Sequence, residues 1–326
     1  MWPFNRKENT QKTPIGTDLI YDQTFLRIKS LNFYGRYSYS PNRRYTIAWR
    51  DSDVEGLVGG FRDKGEGDYV LLDEERVLTH RRLQRPNDGK VADTGRFVIN
   101  DWLFGDGLKG TFYAFEPDGT LILSKRFHAN LHDSGVSSDG SLAVCQTLQS
   151  DSTDANLLTV FDLARKTIIA QWHPQSGIAN AYEFEISKRR LFLVYRGPAY
   201  RDYPDPKWAY SFDGEFIDRD KWLEDKLKCG DFPTLIMTVR DLLKGNESSL
   251  ASARARTLLN SVELAIKKGA DGYPDWHAQA LKLSGILHER LGELNQAAEL
   301  YERALSLNPK IGVKRRLDTL RKADDD

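Results

Sequence analysis

A polar turn followed by a short apolar run recurs four times along the first two-thirds of the chain, as SPNRRYTIAW, ADTGRFVIN, SSDGSLAVC and ISKRRLFLVY. The first apolar residues of these runs are Tyr45, Phe97, Leu142 and Leu191, at intervals of 52, 45 and 49 residues. A second pattern lies between them: YVLLDEERVLTH, TFYAFEPDGTLILSKRFH, LLTVFDLARKTIIAQWH and WAYSFDGEFIDRDKW each read as strand, acidic or glycine turn, strand. These turns follow Asp73, Glu116, Asp162 and Asp213, at intervals of 43, 46 and 51 residues, in step with the first set. The runs are rich in β-branched and aromatic residues, as half-buried strands require. Two hairpins per unit predict a four-stranded antiparallel sheet, repeated four times. The N-terminal DLIYDQTFLRIKSLN, Asp18 to Asn32, adds one further strand pair.

After about Lys226 the apolar period changes to 3.6. FPTLIMTVRDLLKG, ASARARTLLNSVELAIKKG and DWHAQALKLSGILHERLG each carry an apolar stripe and end in glycine, a helix C-terminal signal. Val313 to Lys322 reads as a basic amphipathic capping helix. The predicted organisation is a tail over residues 1–16, a β domain over 17–225, a helical domain over 226–322 and an acidic tail over 323–326.

A repeat of about 40–50 residues with four strands is the period of a propeller blade. The order of turn, strand, loop, strand, acidic turn and strand resembles the WD-repeat class of β-propellers over roughly Thr17 to Trp222. Leu72-Asp73, Phe115-Glu116, Phe161-Asp162 and Phe212-Asp213 stand where that class has Trp-Asp. Ser284 to Pro309, SGILHERLGELNQAAELYERALSLNP, resembles a tetratricopeptide repeat. Gly285, Gly292, Ala297, Tyr301, Ala304 and Pro309 match its spacings, and His288 replaces the usual aromatic. The fold class expected is therefore multi-domain β + α: an antiparallel β-propeller-like domain of four units and an N-terminal half unit, followed by a tetratricopeptide-like helical domain. Both resemblances imply protein–protein interaction.

Composition narrows this little. The 326 residues suit two domains, and 40% hydrophobic content excludes a largely disordered chain. Lysine plus arginine and aspartate plus glutamate both total 47, so no global charge draws the chain to nucleic acid or an anionic membrane. No signal-like segment or long apolar run is present in the sequence, so a cytoplasmic location is expected, with no membrane association.

Candidate chemistry is sparse. His80, His128 and His173 follow the last strand of three successive units, and Asp51, Asp101, Asp151 and Asp202 follow the second strands. In WD-type blades such pairs form structural ties; a metal or general base is the competing reading. Gly105 to Gly110 fits G-x-G-x-x-G but leads into a strand rather than a helix, which makes it a connecting loop. Cys145 lies within a strand and Cys229 at the domain junction; no motif activates either. No catalytic residue, metal ligand or cofactor is assigned. The long loops after the second strands carry Phe61, Arg62, Trp102, Phe104, Tyr200, Tyr203 and Trp208, residue types that dominate interfaces. These, with His288 and Glu289 on the helix pair, are the expected contacts for another protein or peptide, or for a second copy of the chain. A ligand site in the propeller channel and nucleic-acid binding by the basic helix are the alternatives.

Overall fold

The apolar runs form strands, and the 3.6-period segments form helices. The computed structural model describes residues 18–53, 60, 62–105, 107–245 and 251–324. The chain divides into two compact units: residues 1–195 with 207–217, and residues 196–206 with 218–326.

The first unit holds four antiparallel sheets in succession. The turn-plus-strand repeats become β4 (Tyr45–Arg50), β8 (Phe97–Asp101), β12 (Leu142–Thr147) and β16 (Arg190–Val194). The hairpin repeats become β5 (Gly67–Asp73) with β6 (Arg76–Leu83), β9 (Gly110–Phe115) with β10 (Leu121–Phe127), and β13 (Leu158–Asp162) with β14 (Thr167–Trp172). Each sheet also has a leading strand: β3 (Phe33–Tyr39), β7 (Pro86–Val91), β11 (Leu131–Val136) and β15 (Ala181–Glu185).

β11 contains the polar residues His132 and Asp133. Its neighbours explain the strand: Leu131 is fully buried, and pairing with β12 satisfies the backbone.

The sheets dock through these leading strands. β7 packs on β3 and β4, β11 packs on β7 and β8, and β15 packs on β11. Between the first two sheets lie Ile47, Trp49, Tyr69, Leu71, Phe97 and Ile99. Between the second and third lie Phe112, Phe127, Leu131, Cys145 and Phe161. Polar groups reinforce the second junction. Lys90 on β7 pairs with Asp88 of its own strand and reaches Asp133 on β11 at 2.9 Å. The Asp88 carboxylate also accepts from the Ser134 hydroxyl at 2.6 Å.

Two expectations need correction. The N-terminal pair, β1 (Leu19–Tyr21) and β2 (Phe25–Ile28), is not a separate half unit; β2 pairs with β3 and extends the first sheet to six strands. The fourth unit is incomplete. β17 (Lys207–Ser211) closes a three-stranded sheet, and the expected partner is reduced to a single bridge between Tyr210 and Phe216, whose rings stack at 4.2 Å. The chain then enters α1 (Arg219–Cys229). Asp220 in its first turn and Lys226 and Lys228 in its last suit the helix dipole, which favours helix over a fourth strand. No closed ring is formed among the described residues: the fourth sheet makes no docking contact with the first like those joining its predecessors.

The second unit contains α1, α2 (Phe232–Gly245), α3 (Ser252–Lys267), α4 (Pro274–Arg290), α5 (Leu294–Leu307) and α6 (Lys314–Asp324). Leu235, Val239, Leu258, Val262, Leu283 and Leu287 form the centre of its main core. α4 and α5 pack as an intimate pair, and Gly292 turns the chain between them with φ of 77°. A Cβ at Gly285 would lie 2.4 Å from the buried Tyr301 ring, so only glycine permits this approach. Among the described residues, no helix is long and apolar enough to cross a membrane.

These contacts make two predictions. Substitution Gly285→Ala gains about 1 kcal/mol of helix propensity but incurs an overpacking cost of about 1–3 kcal/mol, for a net loss in urea unfolding. Adding Tyr301→Leu makes room for the Cβ, so the double variant loses less than the sum of the single changes. Lys90→Met leaves two neighbouring carboxylates without their cation. It is expected to lose about 1.5–3 kcal/mol of stability by the same measurement at neutral pH.

Candidate functional site

A candidate site lies where the first and second sheets meet. A cleft of about 350 Å³ is lined by Phe25, Tyr34, Arg36, Trp49, Ser52 and Asn87, among others. Sheet register builds it. Phe25 lies opposite Arg36, Arg27 opposite Tyr34, and Arg36 opposite Trp49. Leu26 and Ile28 point to the buried side of β2, and alternation turns Phe25 and Arg27 to the other face. The Phe25 and Tyr34 rings stack with centroids 5.0 Å apart, and Tyr34 remains 52% exposed. Trp49 forms a fixed wall, its indole N–H donating to the Asn87 carbonyl at 2.7 Å. Among the described residues, no hydrogen bond or ion pair engages the side chains of Arg36, Ser52 or Asn87.

Behind the cleft, charged groups brace one another. Arg50 holds the buried Asp68 carboxylate through two bonds of 2.8 and 2.9 Å, and His80 Nε2 lies 2.8 Å from the same carboxylate. Burial alone would push the Asp68 carboxyl up; the His80 and Arg50 bonds override it and hold the carboxyl below its ordinary value. The tie expected for His80 therefore exists, but its partner is Asp68 on the third strand of the unit rather than Asp51. Asp51 instead pairs with Arg62 at 3.3 Å and Arg85 at 3.1 Å. Among the described residues, His128 meets an aspartate through its backbone N–H, which donates to Asp154.

The loop after β8 is tied down as well. Backbone N–H groups of Trp102, Leu103 and Phe104 donate to the Arg85 carbonyl, the Asp101 carboxylate and the Gln84 side chain respectively. Asp101 also accepts from the Arg85 N–H at 2.7 Å, and burial pushes its carboxyl up.

The aromatic residues singled out in the sequence are mostly used internally. The Trp102 indole donates to the Leu131 carbonyl at 2.8 Å, bracing the second sheet on the third, and Arg85 lies over its ring. Arg62 lies over Phe104. Phe61 falls outside the described residues. Trp208 is fully buried in β17 against Tyr195. Tyr200 and Tyr203 belong to residues 196–206, which cluster with the helices, and only 8% of Tyr203 is exposed. Asp202 of the same loop pairs with Lys268 at 2.9 Å.

On the helix pair, His288 Nδ1 lies 2.6 Å from Glu293, and Glu289 accepts from Arg316 of α6 at 2.5 Å. Both side chains fasten the helices to one another. Gly285, Gly292, Ala297, Tyr301 and Ala304 lie at or in the α4–α5 contact and turn, while Pro309 follows the end of α5.

Cys145 is enclosed in β12, where burial pushes its thiol well up. The G-x-G-x-x-G segment connects β8 to β9. No group of three or more His, Cys, Asp or Glu among the described residues is placed to hold a metal ion.

Phe25, Tyr34 and Arg36 are not among the contacts expected from the sequence. Their alternation with Leu26, Ile28 and Phe33 was a readable signal of two faces. Their convergence on Trp49 and Asn87, however, comes from the pairing of β2 with β3 and the docking of β7.

No family model matches the chain, and no curated protein matches it. Among solved structures the chain is similar to the WD40 domain of Pan2 from Neurospora crassa. That likeness has 12% identity and a TM-score of 0.31, and covers 48% of this chain and 42% of that one. The match thus spans less than half of either chain.

The Asp68 network makes a prediction with a defined pH dependence. Substitution Asp68→Asn leaves the Arg50 guanidinium buried without its counter-charge and is expected to cost about 3–5 kcal/mol at neutral pH. Because the folded carboxyl lies below its ordinary value of 3.8, its contribution is complete above that pH. The gap between wild type and variant therefore narrows as pH falls below 3.8 through the lowered folded value, measured by denaturant unfolding across pH.

Proposed function

We propose that this protein is a non-enzymatic interaction scaffold: an open, WD-repeat-like row of blades joined to a tetratricopeptide-like helical array. The observation that carries this reading is the contrast at the first-sheet rim. Its acids are committed, Asp68 to Arg50 and His80 and the cleft-lining Asp51 to Arg62 and Arg85, whereas the aromatic stack faces the cleft and, among the described residues, the Arg36, Ser52 and Asn87 side chains have no hydrogen-bond or ion-pair partner there. Convergent polar groups on a rigid, partly apolar wall suit recognition. General acid–base chemistry instead needs a titratable group within reach of its substrate. For the helical unit, the Gly285–Tyr301 contact and the Gly292 turn support the tetratricopeptide resemblance.

The proposed partner is another protein or peptide. Phe104 and Tyr200, both partly exposed, remain proposed peripheral contacts, whereas Tyr203 and Trp208 would act through packing.

Affinity capture of the tagged full chain from its native cells, with metal analysis of the same sample, tests this reading. A stoichiometric protein partner and no metal is the expected result. A chain that returns without a partner but with a tightly held metal or small molecule would replace the scaffold with a ligand-binding or enzymatic protein.

A further inference from the structure

We infer that the cleft beside β2 and β3 receives an acidic linear segment of a partner protein, with an aromatic side chain next to a carboxylate. This rests on the scaffold reading and names the chemistry that its first site recognises.

Three features select that ligand. The first is the open edge of a preformed aromatic pair. Phe25 and Tyr34 are already stacked, so a third ring joins them without ordering them first. The second is uncompensated positive charge. Arg36 is exposed on the cleft, and Arg27 stands exposed across from Tyr34; neither has an acidic partner among the described residues. Asp51 does not neutralise this face, because two guanidiniums, those of Arg62 and Arg85, already share its one carboxylate; the Asp22 carboxylate beside Tyr34 accepts from the Thr24 and Phe25 N–H groups and forms no ion pair with Arg27 or Arg36 among the described residues. The third is donor chemistry. Arg36 can only donate, while Ser52 and Asn87 can each donate, and a carboxylate accepts several such bonds at once.

The same features disfavour a polyphosphate or a nucleic-acid strand. Of the two described guanidiniums that line the cleft itself, Arg50 is committed to Asp68, which leaves Arg36, with Arg27 outside the lining, to meet an anion. A volume of about 350 Å³ suits one large side chain and its neighbour rather than a run of stacked bases.

An array of short labelled peptides tests the inference. Phe, Tyr, Trp or Leu is placed beside Glu, Asp or Gln, and binding to the full chain is read by fluorescence anisotropy. Tyr34 and Arg36 are exposed, so Tyr34→Ala and Arg36→Gln should leave the circular dichroism spectrum unchanged. Peptides pairing an acid with an aromatic residue are expected to bind. Exchange of the peptide acid for Gln, or Arg36→Gln in the protein, should each weaken binding about tenfold, and the two together little further. Tyr34→Ala should erase the preference for aromatic residues over Leu.

The inference fails if no acid–aromatic peptide binds, or if both variants bind as the wild type does. It also fails if single-stranded oligothymidine binds more tightly with the same dependence on Arg36. The two readings separate cleanly. A partner still captured in full by the Tyr34→Ala/Arg36→Gln chain removes this site and keeps the scaffold. Peptide binding by a chain that captures no partner keeps the site and removes the scaffold.

Discussion

Middle strands of the first three sheets are buried on both faces. Every residue of β4, β8, β12 and β13 is buried, so these strands have no solvent side. A two-stranded or single-sheet fragment of such a sequence would expose apolar surface on one face, and each sheet therefore depends on the next. The leading strands carry that dependence. β7 and β11 place Val91 and Leu131 into the cores shared with their neighbours, while Lys90, Asp88, Asp133 and Ser134 fasten one junction with directional bonds. Apolar contact supplies most of the driving force, and the ion pairs set register, since displacing them would strand charge in a poorly solvated place.

This constraint also shapes the first sheet. A row of sheets that does not close leaves a terminal sheet without a second neighbour. The β1–β2 pair lengthens this one, and Leu26 and Ile28 of β2 join Phe33, Ala48, Val70 and Leu72 in a cluster of their own. The strand that buries Leu26 and Ile28 on one face must turn Phe25 and Arg27 to the other. The cleft is thus a consequence of how the terminal sheet is completed: its aromatic wall and its positive charge sit on the reverse of a core strand. That arrangement gives the site a rigid floor, which lowers the entropy lost when a ligand is bound.

The helical unit uses a different device. Its closest contact depends on the absence of one side chain, at Gly285, with Tyr301 filling the space. Around this contact, His288 with Glu293 and Glu289 with Arg316 tie α4 to the start of α5 and to α6. These residues are polar and lie on a helix surface, a pattern equally suited to partner contact and to self-bracing. Only their partners in three dimensions distinguish the two.

Most of the strands and helices, the spacing of the repeated units and the glycine positions of the α4–α5 pair were legible in the sequence. Those properties follow from local periodicity, turn chemistry and residue volume, which act over a few neighbouring residues. Tertiary structure decided the rest. Tyr210 and Phe216 meet at one bridge only, because the acid-led α1 begins before a fourth strand can extend. Trp102 braces a neighbouring sheet instead of facing solvent, and His80 bonds Asp68 rather than Asp51. Phe25, Tyr34, Arg36 and Asn87 share a cleft because β2 pairs with β3 and β7 docks beside β4. Partner choice across long sequence separations depends on which surfaces remain to be covered once the local elements have formed, and no stretch of adjacent residues encodes that by its own pattern.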